Sequence, residues 1–129
     1  MSNQLSFDHV HYRSSDFEES RKFYVGVLGA TELQNVSLGG NENLQFELAG
    51  VMLLFAPAGP DHVPAEPATE RMGVYHIAFT VENCDEATEY YRSRGATVAV
   101  EPFMANDSIR ASFLAGPDGM WVELKQELG

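Results

Sequence analysis

The chain has 129 residues and a formal charge of −11, from 19 acidic and 8 basic side chains. That balance argues against nucleic acid, whose backbone is met by basic patches, and gives no general attraction for strongly anionic substrates. No apolar run approaches the roughly 18 residues of a membrane span, the start Met1-Ser2-Asn3-Gln4 lacks a signal-peptide pattern, and the lone Cys84 cannot close an internal disulfide, so a cytoplasmic protein is expected.

In chain order, residues 5–13 alternate as a strand, with Phe7, His9, His11 and Arg13 on one face and Asp8, Val10 and Tyr12 on the other. Ser15 and Glu18 form a capping box, and Phe17, Ser20, Tyr24, Val27 and Leu28 make the inner stripe of a helix stopped by Gly29. Residues 44–48 and 51–56 read as strands joined at Ala49-Gly50. The four prolines of residues 57–72 mark a linker. Residues 74–81 form a second opening strand, with Val74, His76, Ala78 and Thr80 on one face and Tyr75, Ile77, Phe79 and Val81 against a helix. That helix is capped by Asn83 with support from Glu86 and stopped by Gly95. Cys84, at its start, reads as a buried structural thiol. Residues 110–114 and 120–125 close the chain around the turn Gly116-Pro117-Asp118-Gly119.

Two of these stretches repeat. His9 plus 67 is His76, and Tyr24 plus 67 is Tyr91. A fixed offset implies two copies of one module: about residues 5–57, a linker over 58–72, and about 73–127, in a single domain of residues 1–129. Aligning Gly50 with Gly119 sets Met52 against Trp121 and Leu54 against Glu123. If each module turns one opening-strand and one closing-strand position toward a common cavity, the donors are His9, His76 and Glu123, with apolar Leu54 in the fourth place. Two His and one carboxylate form the facial triad of non-haem Fe(II), so one divalent ion per chain is expected. Mn(II), Zn(II), Ni(II) and Co(II) suit the same ligands. Glu123 lies among apolar neighbours on a central strand and needs either a metal or a cation such as Lys125, Arg13 or Arg110. His11, two residues after His9, is the candidate acid–base group. Arg13 and Arg110 are candidates for holding a substrate anion. Phe7, Phe46, Met52, Leu54, Phe113 and Trp121 would wall an apolar pocket. Glu47 fits either a solvated face or the cavity, and His62 lies in the linker without a role.

The run from His9-Val10 through Ser15-Asp16-Phe17-Glu18 to Phe23-Tyr24 and Val27-Leu28-Gly29 resembles the opening of vicinal oxygen chelate proteins. Tyr75-His76-Ile77-Ala78-Phe79 and Pro117-Asp118-Gly119-x-x-Val122-Glu123-Leu124 resemble that family's second half. The resemblance covers about Phe7 to Leu124 and is not specific for one activity. It implies an α+β fold of paired βαβββ modules in a glyoxalase-like open barrel, often with a divalent metal, here on His9, His76 and Glu123. It also implies a homodimer acting on a small molecule. Leu54 stands where glyoxalase I carries a further glutamate ligand that also moves protons. The three-donor set therefore points to an extradiol-dioxygenase-like enzyme acting on an apolar or aromatic substrate with adjacent oxygens. A glyoxalase-like lyase or isomerase, and a metal-free small-molecule-binding protein, are the alternatives.

Overall fold

The computed structural model describes residues 3–129. Strand β1 (His9–Ser14) leads into helix α1 (Phe17–Arg21), which widens into a π-helical turn over Lys22–Val27. Strands β2 (Thr31–Glu32), β3 (Val36–Leu38), β4 (Asn41–Leu48) and β5 (Val51–Pro57) complete the first module. The second contains β6 (His76–Thr80), α2 (Cys84–Ser93), β7 (Thr97–Asn106), β8 (Ile109–Ala115) and β9 (Trp121–Glu127). Each module forms one sheet with the same plan. The opening strand runs parallel to the last, giving β1-β5-β4-β2 with β3 also on β4, and then β6-β9-β8-β7. This is the mixed α+β architecture of two βαβββ-like modules that the repeat implies, with β2 and β3 of the first sharing the edge of β4.

Local chemistry explains the element ends. Asp16, rather than Ser15, caps α1: its carboxylate accepts from the N–H groups of Glu18 and Glu19 at 2.9 and 3.3 Å. Ser15 instead donates its own N–H to Asp118 of the other module at 3.2 Å. The widened turn closes with Leu28 N–H on Phe23 O, 2.9 Å. Asn83 caps α2 as expected, accepting from Glu86 N–H at 2.9 Å. Ala49 and Gly50 both take positive φ, 52° and 80°, as a two-residue hairpin turn requires. Glu47 closes that turn by accepting from Gly50 N–H at 2.8 Å, which settles its position at the hairpin. At Gly119, a Cβ would stand 2.6 Å from Glu66 O, so only glycine lets the linker cross this turn.

Alternation sorts each sheet into two faces. Val10, Tyr12, Leu44, Phe46, Leu53 and Phe55 of the first sheet, and Ile77, Phe79, Leu114, Val122 and Leu124 of the second, meet the helices in one continuous core. Phe46 is thus core rather than pocket wall, because its partner across the ladder is Leu53. Phe7 lies outside β1 and is exposed. Arg94, at the end of α2, ties the modules together by donating to Val27 O and Gly26 O at 2.9 and 2.8 Å. Extensive strand–strand contact is confined within each sheet. The faces opposite the helices therefore lie outside the shared core.

Candidate metal centre

The ladder registers bear directly on the repeat. In module one, His9 lies opposite Met52 and His11 opposite Leu54. In module two, His76 lies opposite Trp121 and Ala78 opposite Glu123. Met52 with Trp121, and Leu54 with Glu123, are therefore structural equivalents, as the sequence alignment sets them. His9 and His76 occupy the same place on the helix-distal face of their sheets.

On the second sheet, His76 Nε2 and Glu123 Oε1 are 3.0 Å apart, with side chains 24% and 14% exposed. The partner of the inward carboxylate is therefore His76, not Lys125, Arg13 or Arg110. The His76 ring is held by aromatic neighbours: its centroid is 4.9 Å from Phe113 and 4.6 Å from Tyr75. Its Nδ1 is buried and has no hydrogen-bond partner among the described residues. Phe113 in turn packs on Trp121 at 5.3 Å and Phe103 at 6.2 Å, so the pair sits against an aromatic wall. Tyr75 belongs to this wall and not to the helix side, because β6 starts only at His76 and leaves Tyr75 free of the alternation.

On the first sheet, His9 Nδ1 lies 2.7 Å from Asp8 Oδ2. In the neutral ring this contact places the proton on Nδ1 and leaves the lone pair on Nε2, the tautomer a ligand needs. His11 Nε2 lies 2.7 Å from Asn43 Oδ1, and Asn43 Nδ2 donates to Asn41 O at 3.0 Å. The Asn43 oxygen must therefore accept, His11 is the donor at Nε2, and its Nδ1 is the basic nitrogen. The two rings stand edge to face, 5.6 Å apart. Asp8 and Asn43 went unnoticed in the sequence. Asp8 precedes the strand, so alternation wrongly sends it to the other face, and Asn43 meets His11 only through a register no local pattern reveals.

The structure thus brings His76 and Glu123 together and keeps His9 beside Asp8 and His11. Among the described residues of one chain, no three His, Cys, Asp or Glu side chains form a group able to hold a metal. Arg13 shares the open face with His9 and His11, making one long contact of 3.5 Å to Pro57 O. Arg110 does not reach that face. It lies on the helix side, paired with Asp85 of α2 at 2.7 and 3.0 Å, because Ala111 and Phe113 take the positions opposite Lys125 and Glu123.

The donor chemistry fits a divalent ion. Two donors each about 2.1 Å from one ion and at right angles to each other lie about 3.0 Å apart, which is the spacing of His76 and Glu123. An imidazole nitrogen beside a carboxylate oxygen is a donor pair that suits Fe, Mn, Co, Ni or Zn.

Comparison with known proteins agrees with this plan. The model of the glyoxalase/bleomycin resistance protein/dioxygenase superfamily matches residues 6–124. The uncharacterized protein YwkD of Bacillus subtilis is 29% identical over 126 residues, spanning 95% of this chain and 97% of its own. Lactoylglutathione lyase of Salmonella typhimurium is 32% identical over 128 residues, spanning 90% of this chain and 88% of its own. The crystal structure of a glyoxalase family protein from Enterococcus faecalis matches with a TM-score of 0.76 at 26% identity, covering 93% of this chain and 96% of that one. With its repeat, its registers and its paired sheets, the chain belongs to the glyoxalase/bleomycin resistance protein/dioxygenase superfamily.

Proposed function

We propose that the protein is a divalent-metal-dependent enzyme acting on a small apolar or aromatic substrate with adjacent oxygens. It works as a homodimer in which His9 of one protomer completes the site begun by His76 and Glu123 of the other. The observation that carries this reading is the His76–Glu123 pair, held at ligand spacing on a sheet face that lies outside the chain's own core. A third donor on an equivalent face of the other module, but not grouped with that pair in one chain, is what a two-fold partner can supply. Each two-fold dimer then holds two sites, one ion per chain. Exposed apolar side chains at Tyr75 and Phe103 support burial of the second sheet's open face by a partner.

When bound, the ion supplies Lewis-acid polarisation of the substrate's adjacent oxygens and, as iron, redox capacity. The chain's own residues do the rest. Phe113, Trp121 and Tyr75 offer flat surfaces that orient an aromatic ring and exclude water. Asp8 holds His9 in its ligand tautomer. Asn43 holds His11 so that its Nδ1 accepts a proton from the substrate.

Extradiol-type ring oxygenation is the reading the three-donor set favours. A lyase is the second reading, favoured by the 32% identity to lactoylglutathione lyase. Against it stands Leu54, which lies in register with His11 and is 6% exposed. No carboxylate occupies that place. The test is to purify the protein anaerobically, load it separately with Fe(II), Mn(II) and Zn(II), and measure metal content. Oxygen uptake with catechols is then compared with turnover of the methylglyoxal–glutathione adduct. One ion per chain and oxygen uptake with iron support the proposal. Absence of bound metal, or turnover of the adduct alone, overturns it.

A further inference from the structure

At the outer edge of β1, where His11 and Arg13 reach round from the open face, the molecule has a cavity of about 430 Å³ bounded by the linker and by the turn between β8 and β9. Its walls are apolar where Val10, Tyr24, Phe55 and Met120 line it. Two polar side chains in that lining hold donors without acceptors. The Tyr12 hydroxyl is buried against that of Tyr24, and since the two hydroxyls carry two protons, a contact between them leaves one proton without an acceptor. Arg71 Nε is buried and unpartnered too, and the guanidinium's one polar contact is a 3.7 Å approach of Nη2 to Met120 Sδ.

The charge pattern makes Arg71 exceptional. In a chain with 19 acidic side chains, the other cations are satisfied. Arg21, Lys22, Arg92, Arg110 and Lys125 each meet a carboxylate, and Arg94 meets two backbone carbonyls. Arg13 also lines this cavity and donates once, at 3.5 Å, to Pro57 O, so among the described residues Arg71 alone of the cations meets neither a carboxylate nor a carbonyl. A buried donor without an acceptor costs about 1–3 kcal/mol, and more when charged. Two such donors on residues that line one cavity therefore leave an acceptor lacking there.

We propose that this cavity binds a small organic monocarboxylate, with its carboxylate accepting from Arg71 and the Tyr12 hydroxyl and its apolar body against Tyr24 and Phe55. Burial pushes the Tyr12 hydroxyl up to about 12, so it remains a donor at neutral pH. Asp118 also lines the cavity and is engaged by Ser15 N–H at 3.2 Å. Set against Arg13 and Arg71, its charge leaves the lining with one net positive charge (two arginines less one aspartate), which matches a monoanion. The volume sits at the low end of the roughly 300–1,000 Å³ of small-molecule pockets, which suits an aryl or short alkyl acid.

The experiment is calorimetric titration of the full-length, metal-free protein with sodium benzoate, sodium hexanoate and benzamide, the last a neutral analogue of benzoate. Benzoate or hexanoate should bind saturably, one per chain, and benzamide about tenfold more weakly or worse, because it cannot pair with Arg71. Arg71→Met should weaken carboxylate binding about tenfold, Arg71→Lys less, and Tyr12→Phe about threefold. His76→Ala, on the open face, should leave it within about twofold. Equal affinity for benzoate and benzamide, saturable binding by neither acid, or carboxylate binding that survives Arg71→Met and Arg71→Lys unchanged overturns the proposal. Binding lost in His76→Ala but kept in Arg71→Met overturns it as well, by moving the ligand to the open face.

Discussion

Replacing Asp8 by Asn isolates the electrostatic part of how His9 is prepared as a ligand. Asp8 Oδ2 stands 2.7 Å from His9 Nδ1, on the side of the ring away from Nε2. Changes to such orienting partners typically cost about 10–100-fold in metal affinity. Two features of this pair set the expected loss near the lower figure. The Asp8 side chain is 91% exposed, so water screens its charge. Asparagine also retains an oxygen that accepts the Nδ1 proton, so the ring orientation survives while the charge is lost. Asp8→Asn should therefore weaken divalent-metal binding about tenfold, and Asp8→Ala, which removes the acceptor as well, by more. The assay is competition for Zn(II) or Co(II) against a chromophoric chelator. Glu19→Gln serves as control: it changes net charge equally but lies on α1, on the opposite side of the first sheet. Affinities within about twofold of the natural protein for both Asp8 variants would refute the role given to Asp8 and weaken the case for His9 as a ligand.

Turnover of the methylglyoxal–glutathione adduct should be negligible with metal fully loaded. Leu54→Glu should tighten metal binding while impairing any activity that needs an open coordination position, both measured on the same loaded samples. Arg94→Ala should lower stability by about 1–2 kcal/mol, a melting shift of roughly 3–6 °C, because it removes a cation from two helix-end carbonyls that link the modules. Thermal unfolding followed by circular dichroism checks it. Cys84 is fully buried and donates toward Leu124 O at 3.6 Å, so a thiol reagent should label it only after denaturant is added.

Fixed spacing made much of the fold legible in the sequence. The offset of 67 between His9 and His76 and the offset of 69 between Gly50 and Gly119 each reappear as matched ladder registers. Helix caps were readable to within one residue: Asp16 and Ser15 are both capping types, and it is the Asp16 carboxylate that accepts from the Glu18 and Glu19 N–H groups. Strand β7 gave no clear signal, because Pro102 and its register shifts break the two-residue period over Thr97–Asn106. For the site, alternation could say which side of a sheet a residue takes but not which side becomes core. Phe46, a candidate for the cavity wall, is therefore core, and Arg110, a candidate for holding a substrate anion, pairs instead with Asp85. Contacts across β1 and β4, such as His11 with Asn43, depend on pairings 32 residues apart that no local pattern encodes.

The most direct test of the shared site is metal content in defined heterodimers. Chains carrying His9→Ala are paired with chains carrying Glu123→Gln, using two purification tags to isolate the mixed dimer. Where the site spans two chains, one site in this heterodimer receives intact His9 from one chain and intact His76 and Glu123 from the other. The mixed dimer should bind about one ion, against about two for the natural dimer and about none for either variant alone. A heterodimer of the natural chain with a His9→Ala/Glu123→Gln double variant should bind about none, since each site then has one damaged half. The reverse result would contradict the shared site: no ion in the first heterodimer and one in the second would place all three ligands within a single chain.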